Sequence, residues 1–292
     1  GAVVGGVFDG VFCPLLPQDP PSSLKIKDVQ NPSKEKSFSL AREVQLKNFL
    51  DIKNKLGVTV NDVMGGVLNV ALQRYFEASN APILSSGKSV TVSFPINMRG
   101  PSESAESSFY NCISTGTLTV ELNHRCTVDA IMEHNWKMQA AKMSPSPRIQ
   151  MIILRLASRL LPIDILISVA LKLYGRFTYM MSNVLGPRPG CVDGKKVTDV
   201  YFYLFVPIGF YCGLYSYDGK VRLSISSDSE TEPHPEKITS VWVEEMDKLH
   251  SEVMAADFKL RWTPPSQTGT ILLACIAAIS VVALALACAR LQ

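Results

Sequence analysis

Helical and strand periodicities follow one another irregularly along this chain, and they predict a layered α/β domain with a membrane-spanning helix behind it. Three observations carry that prediction. Apolar residues recur at helical spacing from Glu43 to Leu56 and again from Val63 to Tyr75. β-Branched stretches at residues 90–96, 111–120 and 178–184 read as strands, and none is followed by G-x-G-x-x-G, which argues against a Rossmann arrangement. Finally, Thr270 to Ala289 is an uncharged run of twenty residues rich in Leu, Ile, Val and Ala. At about 1.5 Å per residue such a run covers a hydrocarbon core of roughly 30 Å.

Residues 1–16 are apolar and glycine-rich but lack a basic n-region, so they make a poor signal peptide. Residues 18–36 are proline-rich and charged, and read as an exposed linker. Val44, Leu46, Phe49, Leu50 and Leu56 mark the first helix, which Gly57 closes as a C-terminal cap. Thr59 or Asn61 caps the second, with Asp62 in its first turn where a carboxylate meets the positive end of the helix dipole. Val63, Val67, Val70, Ala71 and Tyr75 form its buried stripe.

Residues 97–108 are a polar loop between two strands, and residues 128–143 form a third helix. Residues 148–176 are apolar but interrupted by Arg155, Arg159, Pro162 and Asp164, so they do not span a bilayer. Arg148, Arg155 and Arg159 share one helical face, leaving Ile152, Ile153, Leu156 and Leu160 for the other. Either a basic amphipathic helix at a lipid interface or channel, or two core helices broken at Pro162, fits this pattern. Residues 178–184 end at Ser182-Asn183 and the Gly186-Pro187 turn, which places Ser182 and Asn183 at a strand end, where binding groups gather. Three short strands follow between Val197 and Asp228, with a hairpin at Asp218-Gly219. Residues 235–254 are a final amphipathic helix.

A net charge of +3 with no long basic run offers nothing for a phosphate backbone to bind, so nucleic acid is not an expected partner. The seven cysteines are scattered without a C-x-x-C pair, which argues for free thiols in a reducing compartment and against a zinc site. Trp262 marks a membrane interface before the apolar run, and Lys259 with Arg261 against a single Arg290 favours a cytosolic position for the preceding domain.

Met180-Met181-Ser182-Asn183-Val184-Leu185-Gly186-Pro187 resembles the SNVPGP-type signature in the C-terminal half of the wax ester synthase/diacylglycerol acyltransferase family, with Leu185 where that family usually carries proline. Asn61-Asp62 resembles the family's ND segment at a helix start. Asn97-Met98-Arg99 is similar to its NxR stretch after a strand, and Tyr215 to Lys220 to its penultimate hairpin. These motifs run in the family's order over residues 37–255.

The resemblance implies a chloramphenicol-acetyltransferase-like fold of the CoA-dependent acyltransferases, whose two similar halves face each other across a channel. This chain would be the second half. The family's HHxxxDG base is absent, because none of His124, His134, His234 and His250 is followed by Asp-Gly at the required spacing. That absence, and a start at Gly1, lead us to expect a missing N-terminal half.

The expected organisation is residues 1–36 as the end of that half and a linker, 37–255 as the O-acyltransferase C-terminal domain, 256–269 as a juxtamembrane linker, and 270–289 as a single C-terminal anchor in the endoplasmic reticulum or plasma membrane. No bound cofactor is implied. Acyl-CoA is the implied co-substrate, with diacylglycerol or a fatty alcohol as acceptor. A non-catalytic, tail-anchored lipid-binding protein and a plant-type transferase acting on soluble alcohols are the alternatives.

The resemblance implies no catalytic residue in this chain, and it makes Asn61, Asp62, Asn97, Arg99, Ser182, Asn183 and Gly186 the substrate-binding candidates. Asp62 either assists chemistry or caps its helix. Arg99 either pairs with a CoA phosphate through its bidentate guanidinium or holds the loop that follows it. Ser182 and Asn183 either donate to the thioester oxygen or close the strand-end turn.

Overall fold

A computed structural model describes residues 19–86, 89–99, 112–204 and 208–264. In chain order the elements are β1 (Lys36–Leu40), β2 (Val44–Gln45), α1 (Leu46–Leu56), α2 (Val60–Ala78), α3 (Ile83–Ser86), β3 (Ser89–Asn97) and β4 (Ile113–Glu121). There follow α4 (Thr127–Met143), α5 (Ser146–Leu160), α6 (Ile163–Tyr174), β5 (Tyr179–Leu185), β6 (Cys191–Val192), β7 (Lys195–Lys196), β8 (Phe210–Tyr217), β9 (Lys220–Asp228) and α7 (Glu236–Met254). One mixed sheet runs β1-β9-β8-β5-β3-β4, with β2 also on β9. Its centre is parallel, β3 to β5 to β8, and its flanks are antiparallel.

The helices form one layer on this sheet, with α2 at its middle between α4 and α7. α2 is buried almost all round, from Val63 and Met64 through Leu68 and Leu72 to Phe76, because it faces sheet and helices at once. α1 presents Phe49, Ile52 and Leu56, and Phe49 stacks on the fully buried Trp242 of α7 with centroids 6.0 Å apart. Gly57, at φ 71°, returns its N–H to Lys53 O at 2.9 Å and ends α1 as its sequence predicts. On β9, Val221, Leu223 and Ile225 point into this core, and Ser224 and Ser226 to the opposite face.

The structure departs from the sequence reading in three places. Residues 19–34, expected as an exposed linker, are exposed only in part. Asp19 accepts from Thr91 N (2.6 Å) and Oγ1 (2.7 Å) and from Thr178 N (3.1 Å) and Oγ1 (2.6 Å), which ties the segment across the starts of β3 and β5, and Leu24 is fully buried. Residues 197–204 make no strand, since the carbonyls of Phe202 and Leu204 accept from the Ser224 and Ser226 hydroxyls instead of joining a ladder. Lys36–Leu40, expected as linker end and domain start, is an edge strand against β9.

Residues 148–176 break at Pro162 as predicted, but neither α5 nor α6 belongs to the core. No residue from Arg148 to Tyr174 is buried. Among the described residues no helix is long and apolar enough to cross a membrane, and the run predicted to do so, residues 270–289, lies outside them. Cys112, Cys126, Cys191 and Cys212 are free thiols, as the spacing implied.

Candidate functional site

The parallel centre of the sheet sends the ends of β3, β5 and β8 to one edge, the usual place for ligand groups in an open α/β sheet. The ladder between β3 and β5 pairs only Val92 with Tyr179 and Ser93 with Met180, whereas β5 and β8 stay paired as far as Leu185 with Ser216. Beyond Ser93 and Met180 the first two strands therefore part. The gap opens beside Ser182 and Asn183 on one side and Asn97 on the other.

Residues Tyr179, Met181 and Asn183 face α2, while Ser182 faces the other way and hydrogen-bonds Tyr211. Burial pushes the Tyr211 phenol up to about 12, against the lowering effect of Ser182, so it stays neutral. Tyr179 donates to Asn69 Oδ1 of α2 at 3.2 Å. Further along β5, Asn183 Nδ2 donates to Asn61 Oδ1, at the exposed start of the same helix. Two candidates from motifs 122 residues apart in sequence are thus one hydrogen-bonded pair.

Asp62 is only 1% exposed and points away from the gap. Its Oδ2 accepts from Thr59 N at 2.9 Å, Thr59 Oγ1 at 2.6 Å and Asn135 Nδ2 at 2.7 Å, and Thr59 Oγ1 accepts from Asp62 N at 3.3 Å. This is a capping box with Thr59, not Asn61, as the cap. Asp62 anchors α2 to α4 and so fixes where Asn61 stands; it is a positioning residue. Asn97 Oδ1 accepts from Arg99 N at 3.1 Å and Nη1 at 3.5 Å, a short turn after β3, and neither residue contacts Asn61 or Asn183 among the described residues. Gly186 donates N–H to Ser216 O at 2.8 Å, and a Cβ there would overlap that carbonyl, so close strand approach explains the glycine. Ser182 and Asn183 lie inside β5 rather than at its end, because pairing with β8 carries the strand on to Leu185.

No histidine stands at this edge with a free base. His134 is buried between α2 and α4, with Nδ1 3.3 Å from Asn69 Nδ2, and desolvation lowers it to about 4 against the raising effect of Asp62. His124 Nε2 lies 2.9 Å from Glu133, His234 3.1 Å from Glu236 and His250 3.4 Å from Asp51. Burial raises the Glu133 carboxyl, but hydrogen bonds from His124 and Lys137 outweigh it and hold the group at about 2. Two residues that sequence reasoning missed shape the site. Tyr211 and Asn135 each act on a partner far along the chain and carry no local pattern, whereas Thr59-x-x-Asp62 is a readable capping signal.

The sequence model described as WS/DGAT C-terminal domain matches residues 111–250. The match covers just under half of the chain, which over that span is similar to this domain. Ser182, Asn183 and Gly186 fall within the matched span, and Asn61, Asp62, Asn97 and Arg99 precede it. No curated protein matches the chain.

Among solved structures, the wax ester synthase/diacylglycerol acyltransferase of Marinobacter aquaeolei VT8 superposes with a TM-score of 0.59 at 18% identity, over 86% of this chain and 57% of its own. The epimerization domain from the third module of tyrocidine synthetase B gives 0.56 at 13% identity, over 87% and 57%. The cyclization-docking bidomain of EpoB from Sorangium cellulosum gives 0.55 at 13%, over 85% and 49%. The chain spans about half of the length of each. At these identities the likeness is one of fold: the WS/DGAT C-terminal domain shares a mixed α/β architecture with domains of peptide synthetases. Together with the domain match it supports an acyltransferase-like domain over residues 111–250.

Proposed function

We propose that this WS/DGAT C-terminal domain is one wall of an acyl-CoA-dependent O-acyltransferase that esterifies diacylglycerol or a long-chain alcohol. The observation that carries the reading is the Asn61–Asn183 pair, which joins the family's helix-start and strand-end motifs at the mouth of the β3–β5 gap. Asn183 spends an amide N–H on Asn61, so the pair keeps an N–H donor on Asn61 and a carbonyl on Asn183 for a substrate. A donor so placed suits a thioester oxygen that gains negative charge on attack.

The base comes from a second half carrying HHxxxDG. Its histidine takes the proton of the acceptor hydroxyl, the alkoxide oxygen attacks the thioester carbon, and the tetrahedral intermediate expels the CoA thiolate, which receives that proton. In this reading residues 37–255 are the domain, no cofactor is bound, and residues 270–289 hold the protein to the endoplasmic reticulum or plasma membrane with the domain on the cytosolic side.

One observation favours a second reading. All four histidines of the chain are engaged or buried away from the strand ends, so the domain alone has a channel wall and no base. A lipid-holding protein would have the same features.

The test is transfer of radiolabelled palmitoyl-CoA to dioleoylglycerol or hexadecanol, with the protein alone and with a WS/DGAT N-terminal half supplied in trans. Product only with both halves supports the transferase. Turnover by the 292 residues alone would overturn the need for a supplied base. Acyl-CoA binding without turnover, even with both halves, would leave the lipid-holding reading.

A further inference from the structure

The hairpin of α5 and α6 is the one apolar feature of the described residues that neither the core nor the candidate site uses. Leu154 is 62% exposed, Leu156 53%, Leu160 78%, Ile163 65% and Ile167 50%. α5 is held to the sheet at its first turn, where Ser146 and Pro147 are buried and Pro147 O accepts from Ser114 Oγ at 2.8 Å; α6 buries no residue at all. An exposed apolar surface of this extent marks a contact.

Two further features say what covers it. In α6 the exposed residues Ile163, Ile165, Ile167 and Val169 recur every second position, so they fall on opposite sides of the helix. A protein groove buries one side of a helix, whereas hydrocarbon can surround it. Residues 146–174 also carry Arg148, Arg155, Arg159 and Lys172 against Asp164 alone, an excess of three positive charges and so the whole of the chain's net +3. Among the described residues the ion pairs made by arginine involve Arg42, Arg74 and Arg222, which leaves the hairpin's Arg148, Arg155 and Arg159 without a carboxylate.

We infer that the α5–α6 hairpin docks into the headgroup region of an anionic lipid bilayer, with its apolar side chains in one leaflet and its arginines among lipid phosphates. The helices hold 15 and 12 residues, so at about 1.5 Å per residue each falls short of a hydrocarbon core of roughly 30 Å, and the hairpin lies in one leaflet instead of crossing. This contact is separate from residues 270–289 and from the proposed chemistry. It would hold the open edge of the sheet at a fixed attitude to the membrane.

The test reads the hairpin itself. In the full chain with Leu156→Trp, an exposed position, the emission of the added indole is obtained by subtracting the spectrum of the parent chain. Vesicles of phosphatidylcholine, with and without phosphatidylserine and containing brominated acyl chains, are the probe. The expected result is a blue shift and bromolipid quenching in the phosphatidylserine vesicles. With Arg148→Gln, Arg155→Gln and Arg159→Gln added, the ratio of docked to undocked hairpin falls about fivefold per arginine.

Protein that floats with the vesicles while the added indole keeps its emission in buffer would overturn the inference, because binding through residues 270–289 leaves position 156 in water. A blue shift without lipid that grows with protein concentration would overturn it too, by assigning the face to a second copy of the chain. Acyl transfer is not measured, so neither outcome bears on the proposed enzyme.

Discussion

Gly66 sits where α2 crosses α4, and replacing it with alanine sets two effects of opposite sign against each other. Alanine is favoured over glycine in a helix interior by about 1 kcal/mol. Against this, the new methyl would lie 2.5 Å from Ile131 Cγ1, 2.6 Å from Ile131 Cα and 2.8 Å from Ile131 N, where ordinary contact begins at 3.4 Å. A side chain can turn away from such a methyl, but the Cα and N of Ile131 cannot. The helices must therefore separate by about 0.8 Å at that point, and Val63, Val67 and Ile131, all fully buried, lose contact with it. Overpacking of this kind costs about 1–3 kcal/mol, and an obstacle made of backbone belongs at the upper end. The expected net loss is about 2 kcal/mol. Urea unfolding of the full chain, followed by the fluorescence of Trp136 and Trp242, should show the midpoint fall by roughly 0.7 M if m is about 3 kcal/mol/M. A midpoint equal to or above that of the parent chain would show that helix propensity wins and that the α2–α4 approach is looser than described.

Asp62→Ala removes a capping box and a charged acceptor of three donors, and is expected to cost about 2–3 kcal/mol in the same titration; Asp62→Asn, which keeps one acceptor oxygen, should cost less. Stability should also drop in mild acid. The His134 pKa is about 4 in the folded chain and about 6.5 when unfolded, so the unfolded state binds the proton first as pH falls. The contribution is whole above pH 6.5 and roughly 2 kcal/mol of it is gone by pH 5, and His134→Gln should flatten that slope in urea midpoints taken at the two pH values. Asn183→Ala and Asn61→Ala are each expected to leave the urea midpoint within about 1 kcal/mol of the parent, since the pair is exposed at Asn61, yet to lower acyl transfer by the reconstituted halves at least tenfold; unchanged transfer would remove the pair from the site.

What the sequence reveals of this fold is whatever is decided within a few residues. Gly57 ends α1 because only a left-handed residue can return its N–H to Lys53, and the hairpin at Asp218 and Gly219, with φ of 46° and 74°, follows from those two residue types alone. The long-range ties stay hidden. Asp19 reads as one charge in a proline-rich stretch until Thr91 and Thr178 are seen to donate to it, and residues 197–204 alternate like a strand although serine hydroxyls of β9 take their carbonyls. β1, with the sequence Lys-Ser-Phe-Ser-Leu, does not read as a strand because its serines make it polar. Of the site, the motifs were legible but their geometry was not. Asn61 and Asn183 meet only because β5 and α2 share a face, and the parting of β3 from β5 is a property of three strands.

Most of the motif residues are explained by the fold without any substrate. Asp62 caps and anchors α2, Gly186 lets β5 lie against Ser216, and Asn97 holds the turn that carries Arg99. A chain that had lost its activity would still need these residues to fold, so their presence is evidence of architecture before it is evidence of turnover. The Asn61–Asn183 pair differs. It crosses from a helix start to the far half of a strand, buries little and ties together elements that Asp62, Asn135, Asn69 and Tyr179 already hold in place. Stability gives little reason to keep two amides there. A charge-stabilising donor at the mouth of the gap does in the transferase proposed above, where the base would come from a half that brings its own histidine.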